Sequence, residues 1–306
     1  MKTLHYCLIF VGLGLTLKTN AQTGISGQIK ADYVPFSNYV RPIDSAKTGS
    51  SSDFKRIQLD FSIPLSIKID SSEQPKMWAL KLGGAYAKMQ NRNYEEALFP
   101  TEMLNVQVGV VHMRPLSKKW SMMAMASVGV FTDLEKINSD DVLVQGGALF
   151  IRNFNPRLAL GFGAVVTNTF GVPMLLPGIY FNWVTGGRYQ LHVNFPEGID
   201  FGVQMSPKFN LKTVVELSGM TAERNRDNKS TLLGYVQVIA GLRPEFKLGN
   251  SFTLQLTAGT TLTRSFITTS RKLKDIFKEK EFADPRFTTT AYGAVALKWS
   301  LSKAKK

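Results

Sequence analysis

Residues 56–70 read RIQLDFSIPLSIKID, and every second residue of this stretch is large and apolar. The apolar set is Ile57, Leu59, Phe61, Ile63, Leu65, Ile67 and Ile69. Successive side chains of a β-strand point to opposite faces, so this period of two predicts a strand with one apolar and one polar face. Arg56, Asp60 and Lys68 are then expected on the polar face. Pro64 cannot donate to a strand ladder, so we expect a β-bulge there.

The same alternation recurs along most of the chain and predicts fourteen strands. They lie near 24–36, 54–69, 77–90, 102–114, 119–132, 142–153, 157–169, 176–184, 188–195, 199–206, 210–221, 231–246, 251–268 and 287–301. Many are long enough for a tilted bilayer crossing, which takes roughly 9–11 residues. Twelve strands is the alternative, because the short segments around 188–206 can be read differently.

The connections between these strands alternate in length. Tight polar turns such as RPLSKK and KLGN alternate with longer links at 37–53, 91–101, 133–141, 222–230 and 269–286. All four tryptophans fall at the short-turn ends of strands and on the apolar parity: Trp78, Trp120, Trp183 and Trp299. This pattern is typical of an all-β, transmembrane, up-and-down antiparallel barrel with periplasmic turns, extracellular loops and an aromatic girdle.

A soluble β-sandwich is the main alternative fold, because its strands alternate too. Its apolar faces would be buried between two sheets. In the alternating stretches 56–70, 104–110, 252–262 and 293–301, the apolar face carries no charged residue. Glu102, His112 and Arg114 share that parity only at strand ends. A charge at the bilayer midplane costs roughly 2–4 kcal/mol, so this distribution favours a membrane barrel.

The N-terminus has the layout of an exported protein. Lys2, an apolar run from Leu4 to Leu17 and the small residue Ala21 predict a signal peptide over residues 1–21. The barrel domain is then expected to cover residues 22–306. The single Cys7 lies in the leader, which excludes disulfides, zinc–thiolate sites and a cysteine nucleophile from the mature chain.

The net charge predicts an anionic environment. It is +14, and removal of Lys2 and Lys18 with the leader leaves 14 − 2 = +12. For an exported barrel this favours contact with outer-membrane lipid or lipopolysaccharide and not with nucleic acid. Solubility of the loops is the simpler explanation of the same charge.

Catalytic and metal-binding patterns are sparse. Among the three histidines, His5 lies in the leader, His112 near a strand end and His192 on a polar face. His192 with an unidentified serine is the only candidate base for a barrel-embedded hydrolase or acyltransferase, and the chain has no G-x-S-x-G motif. We therefore predict a protein that is not an enzyme, with no catalytic residues, metal or cofactor.

The polar faces carry the remaining signal. Charges of both signs are expected to line the lumen, together with one histidine: Lys30, Asp32, Arg56, Asp60, Lys81, Glu216 and His192. Small inward residues such as Gly83, Gly109 and Gly147 leave room for water, solute or an inserted loop. A wet channel and an internal ion-pair network that plugs the barrel are both compatible with this set.

Several segments resemble Gram-negative outer-membrane β-barrel proteins, and in particular a family of uncharacterised barrels known only as a domain of unknown function. They are TNAQ (19–22), PLSKKW (115–120), LLPGIYFNW (175–183) and NFPEGIDFGVQMSPKF (194–209). The resemblance implies a barrel in the outer membrane over nearly all of the mature chain, and it supplies no catalytic residues.

We predict that the barrel is a channel or binding barrel for small polar solutes. A lipid-modifying enzyme and a structural or adhesion barrel acting through its extracellular loops are the alternatives. In the last loop, SRKLKDIFKEKEFADPR at 270–286, Leu273, Ile276 and Phe277 have a helical spacing that predicts either a surface loop or a turn packed on the barrel mouth.

Overall fold

In the computed structural model, which describes residues 24–69, 75–94, 99–168, 174–226, 229–269 and 285–301, the chain forms one closed antiparallel β-barrel. The wall strands are β1 (Ile25–Val40), β2 (Lys47–Ile69), β3 (Pro75–Lys88), β5 (Glu102–Pro115), β6 (Trp120–Thr132), β7 (Val142–Asn155), β8 (Leu158–Thr167), β9 (Met174–Val184), β10 (Tyr189–Phe195), β11 (Gly198–Ser206), β12 (Phe209–Arg226), β13 (Lys229–Leu248), β14 (Phe252–Thr269) and β16 (Ala291–Leu301). Two short strands, β4 (Asn91–Arg92) and β15 (Arg286–Phe287), add to the rim.

Each long strand pairs with its neighbour in sequence, and β1 pairs with both β2 and β16, which closes the barrel. The prediction of fourteen strands in up-and-down order is therefore confirmed. The leader 1–21 and residues 270–284 of the charged loop lie outside the described residues. No helix in the described ranges is long and apolar enough to span a bilayer.

Two predicted loops are shorter than the sequence indicates. The link between β1 and β2 covers only 41–46, and that between β12 and β13 only 227–228. The polar residues of these segments form strands because the adjacent hairpin arm satisfies their backbone groups, whatever the side chains prefer.

The outward face of the barrel is apolar and exposed. Ile57, Val144 and Phe162 are 56%, 68% and 57% exposed, whereas the inward-facing Asp32 and Arg264 are 5% and 1% exposed. This is the reverse of the arrangement in a soluble protein, where burial of each such apolar side chain is worth about 1.5–3 kcal/mol. A surrounding hydrocarbon phase accounts for it.

The four tryptophans lie on the outward face at the short-turn end, as predicted. Trp78, Trp120 and Trp183 are about two-fifths exposed. The Trp78 ring stacks on His112 with centroids 4.0 Å apart. The indole of Trp299 lies over Gly27, where a Cβ atom would collide with it. These rings form the aromatic girdle of one membrane interface.

Two β-bulges reverse the facing of charged side chains. In β2 the register shifts between Pro64 and Ser66, which confirms the bulge predicted at Pro64. Beyond it, Ser66 pairs with Trp78, so Lys68 lies on the outward face with that ring. The prediction of Lys68 in the lumen is wrong, because one inserted residue exchanges the two faces.

The second bulge lies in β14, where the register shifts by one residue at Leu262. Strict alternation beyond Leu262 would put Arg264 in the lipid. The bulge turns Arg264 inward instead, opposite Gln237 of β13. The charge-free apolar face of this strand is thus preserved by a backbone irregularity that a period of two does not reveal.

The β12–β13 hairpin leaves the wall at the long-loop end and folds into the barrel. The β10–β11 hairpin is short, and its pairing with β12 ends at Glu216. Between Phe209 and Val215 only Val214 of β12 is buried, but residues 219–224 are all buried. Residues 232–237 of β13 are buried likewise. Both faces of the hairpin are therefore covered by protein.

Contacts across the barrel hold this infolded hairpin. Glu223 pairs with Thr132 of β6 as a parallel bridge, and the Asn105 side-chain amide bonds both backbone groups of Thr221. Leu232 packs against Phe131 and Leu143 of the opposite wall.

Candidate functional site

The candidate site is the lumen, which has an apolar and a charged half. At the long-loop end an apolar cluster fills it, built from β1, β2, β5, the infolded β12–β13 hairpin and β14. Phe54 stacks on Tyr235 and Phe99 on Phe266, with ring centroids 4.1 and 4.4 Å apart. This packing closes the lumen at that end among the described residues.

Arg264 is built into the closed end. Its Nε donates to the Tyr235 hydroxyl at 3.1 Å, and Nη1 and Nη2 donate to the backbone carbonyls of Ser52 and Asp53 at 2.7 and 2.8 Å. The guanidinium also lies 4.3 Å from the centre of the Phe287 ring. Nη1 also donates to the Ser37 hydroxyl of β1 at 2.9 Å. Arg264 therefore ties β14 to β1 and β2, and its burial is compensated by hydrogen bonds to neutral oxygens.

The next layer is an ion pair between neighbouring strands. Arg56 of β2 donates from Nε and Nη2 to both oxygens of Asp32 on β1, at 2.9 and 3.1 Å. Their side chains are 2% and 0% exposed. Ser218 and Gln237 of the infolded hairpin complete the layer by bonding Arg56 and Asp32. Two of the predicted lumen residues thus form a buried bidentate pair.

Below this layer the lumen widens into a charged chamber. Glu216 of β12 accepts from Lys30 of β1 at 3.1 Å and from Arg243 of β13 at 2.6 Å. Three strands, β13, β14 and β16, lie between β12 and β1 in the wall, so the Lys30–Glu216 bond crosses the lumen. Gln28, Gln255 and Lys298 help to line a small cavity here.

A second group of charges continues this chamber along the wall. Lys212 lies 3.1 Å from Asp200 and 3.4 Å from Glu245, and Gln255 donates to Glu245. Both signs are present, so the chamber presents paired charges and amides and not a field of one sign.

The remaining predicted residues also face inward. Asp60 accepts from Gln58 at 2.8 Å, and Lys81 is exposed to the lumen. His192 pairs in register with Asp200 and Asn182 on neighbouring strands. Of the predicted set, the structure brings Lys30 together with Glu216 and Asp32 with Arg56.

Sequence reasoning missed several charged residues of this lumen. Arg243 and Glu245 have the polar parity of β13, so alternation alone contained the signal for them. Arg264 has the apolar parity, and only the bulge at Leu262 reveals its inward position.

The opposite wall carries amides and hydroxyls. Gln145 donates to Gln107 at 2.9 Å and accepts from Thr167 at 2.8 Å. The backbone N–H of Asn168 also donates to Gln145, and the carbonyl of Asn168 accepts from the Thr221 hydroxyl of the infolded hairpin. Within the described ranges, no cluster of histidine, cysteine and carboxylate side chains could hold a metal ion.

Solved outer-membrane barrels resemble this structure in overall architecture. A deltaS2 mutant of the monoaromatic hydrocarbon channel TodX has 9% identity and a TM-score of 0.36, over 93% of this chain and 91% of the other. OccK7 (OpdD) of Pseudomonas aeruginosa has 10% identity and a TM-score of 0.33, over 91% and 99%. The protease OmpT of Escherichia coli has 8% identity and a TM-score of 0.28, over 94% and 99%.

No curated protein matches the sequence. One family model does, and it covers residues 17–300, which include every strand of the barrel except the last residue of β16. The chain therefore belongs to the family described as a domain of unknown function, DUF6268.

Proposed function

We propose that this barrel is a gated passage for small polar solutes across the outer membrane. The observation that carries the proposal is the charged chamber around Glu216, which the infolded β12–β13 hairpin covers on the long-loop side. A solute entering this chamber meets carboxylate, ammonium, guanidinium and amide groups within one small volume.

The chemistry of the chamber favours small polar solutes over apolar ones. Its lining includes Lys30, Glu216, Arg243 and Gln255. An apolar solute there would break charge-assisted hydrogen bonds without forming new ones, whereas a polar solute can replace them.

The hairpin is suited to act as the gate because, in the described residues, no strand ladder continues along its outer edge beyond Glu216. On one edge, β12 pairs with β13 along its whole length, from Phe209 to Arg226. On its other edge, pairing with β11 stops at Glu216, and the single bridge to Thr132 replaces the ladder. The salt bridge from Arg224 to Asp133, at 3.3 Å, adds to that contact. Opening would break these contacts together with the Asn105 and Asn168 bonds to Thr221 and the packing of the hairpin against the apolar clusters, and it would leave the β12–β13 ladder intact.

A cysteine pair tests the gate. Thr132→Cys with Glu223→Cys places two thiols on Cα partners of the bridge, in a separation that a disulfide spans. The chain is refolded from residue 22, so that it holds no other cysteine. We expect liposome swelling with small sugars and amino acids to slow by at least about tenfold on oxidation, and to recover on reduction, because each 1.4 kcal/mol of added barrier is a factor of ten.

The pair Ser51→Cys and Arg92→Cys is the matched control, because these residues are partners at the same end of the barrel but away from the hairpin. Oxidation of this control should leave swelling unchanged. Equal swelling of the oxidised and reduced gate variant would refute the hairpin as gate. Absence of swelling and of planar-bilayer conductance in the reduced, folded barrel would refute passage altogether.

A further inference from the structure

The short-turn end of the barrel is rich in cations. The cations at this end, in the described residues, are Lys68, Lys76, Arg114, Lys118, Lys119, Arg152, Arg157, Arg188, Lys208 and Lys247. The described residues of the turns at this end, 116–119, 156–157, 185–188, 207–208 and 249–251, include no aspartate or glutamate. The turn between β2 and β3, residues 70–74, lies outside the described residues and contains Asp70 and Glu73 in its sequence. This end therefore attracts anions. Those of its cations that face outward lie at the level of the aromatic girdle.

The bulge after Pro64 brings two of these cations together on the outward face. Lys68 and Lys76 are direct cross-strand partners in β2 and β3. Like charges in directly opposite positions destabilise a sheet unless a counter-charge lies between them. Both side chains are exposed and outside the lumen, so the ion pairs of the chamber do not compensate them.

These lysines form the polar side of an open pocket. Its lining is Ser66, Lys68, Lys76 and Trp78. The indole of Trp78 is 44% exposed and is backed by the stacked His112 ring, so one wall of the pocket is flat, apolar and fixed. On the same outward parity of β3, Leu80 and Leu82 continue from Trp78 towards the middle of the barrel.

We infer that this pocket binds the phosphate of an anionic phospholipid headgroup. The two ammonium groups and the Ser66 hydroxyl would hold the phosphate, and an acyl chain would follow Trp78 onto the leucine face. The pocket opens outward at the aromatic girdle, which is where the headgroups of a surrounding bilayer lie. The inference is independent of whether the lumen passes solutes, because the pocket lies on the other side of the wall.

Tryptophan quenching by brominated lipid tests the site. Trp120→Phe, Trp183→Phe and Trp299→Phe leave Trp78 as the only tryptophan. The barrel is reconstituted in phosphatidylcholine bilayers that contain a small fraction of brominated phosphatidylglycerol or brominated phosphatidylcholine. We expect Trp78 to be quenched preferentially by the anionic lipid. Lys68→Ala with Lys76→Ala should lower its relative association constant about 30-fold, as follows from about 1 kcal/mol per lysine at a membrane surface.

The pair Lys118→Ala and Lys119→Ala is the matched control. It removes the same charge from the same end, in the turn between β5 and β6, and should change the preference by less than about threefold. An equal loss in both pairs would mean general attraction and overturn the site, as would equal quenching by the two lipids. Relief of quenching by millimolar inorganic phosphate would assign the pocket to a soluble anion instead. Heat-modifiable migration in gels verifies that each variant is folded.

Discussion

Replacement of Arg56 by methionine should destabilise the barrel more than any single surface change. Arg56 and Asp32 form two hydrogen bonds of 2.9 and 3.1 Å, with side chains that are 2% and 0% exposed. Methionine retains much of the length of arginine but leaves the Asp32 carboxylate buried without its cation. Breaking a buried pair by removing one partner costs about 3–5 kcal/mol.

The double variant Arg56→Met with Asp32→Asn should cost much less than the sum of the two single changes. The uncompensated charge is then gone, and two hydrogen bonds of roughly 1.5–3 kcal/mol each are lost together only once. We therefore expect a coupling free energy of at least about 2 kcal/mol between the two positions. Gln237, which donates to the Asp32 side chain, remains as a donor to the amide oxygen of the new asparagine.

Urea unfolding of the barrel in lipid vesicles, followed by tryptophan fluorescence, measures these free energies. Lys88→Met is the matched control, because its pair with Glu102 spans 3.4 Å with a side chain 59% exposed. It should cost less than about 1 kcal/mol. Additive single changes at positions 32 and 56, or a loss at Arg56 no larger than that at Lys88, would refute the account of a dry, paired lumen.

Three further outcomes follow from the structure. Gly27→Ala should lower stability by about 1–3 kcal/mol, since the new Cβ meets a tryptophan ring and a backbone oxygen, whereas Gly293→Ala, with no atom within 4 Å, should be nearly neutral in the same urea assay. Burial raises the pKa of the Asp133 carboxyl in the β6–β7 link above its ordinary value of 3.8. The folded state therefore binds this proton more tightly than the unfolded one, and the stability it contributes is fully present below pH 3.8 and is lost as pH rises from there through the raised pKa. Urea midpoints of Asp133→Asn should lack that component, and a pH profile identical to wild type would contradict it. Finally, His192→Ala should leave the lipid composition of cells unchanged, as mass spectrometry of extracted lipids would report; a lost lipid species would establish an enzyme instead.

Alternation in the sequence was sufficient to predict the wall of the barrel. In the stretch 56–70 the period of two predicts the strand. The apolar and polar character of its two sets of side chains predicts which face meets lipid and which meets the lumen. Trp78 and Trp299 then locate one interface, because aromatic rings at strand ends have few other uses in a barrel. Even the bulge at Pro64 was predictable, since the missing N–H of proline has a definite cost in a closed sheet.

The interior was less predictable because its contacts cross between distant strands. Nothing local pairs Lys30 with Glu216, which lie on opposite sides of a lumen whose width depends on the fold. The infolded hairpin was missed for the same reason. Residues 219–224 mix polar and small or apolar side chains and show no clear alternation. Their edge lacks a β11 neighbour only because the pairing of β11 with β12 ends at Glu216.

The bulges at Pro64 and Leu262 imply that insertions and deletions are an economical way for this barrel to change. When one residue is added or removed at such a site, the side chains between it and the next turn exchange faces, so those that faced the lumen face hydrocarbon and the reverse. Related chains can thus relocate a lysine or an arginine without mutating it. In an alignment of this family, single-residue gaps within strands should coincide with a shift of the charged residues from one set of alternate positions to the other. A count of substitutions at each aligned position would overlook these changes.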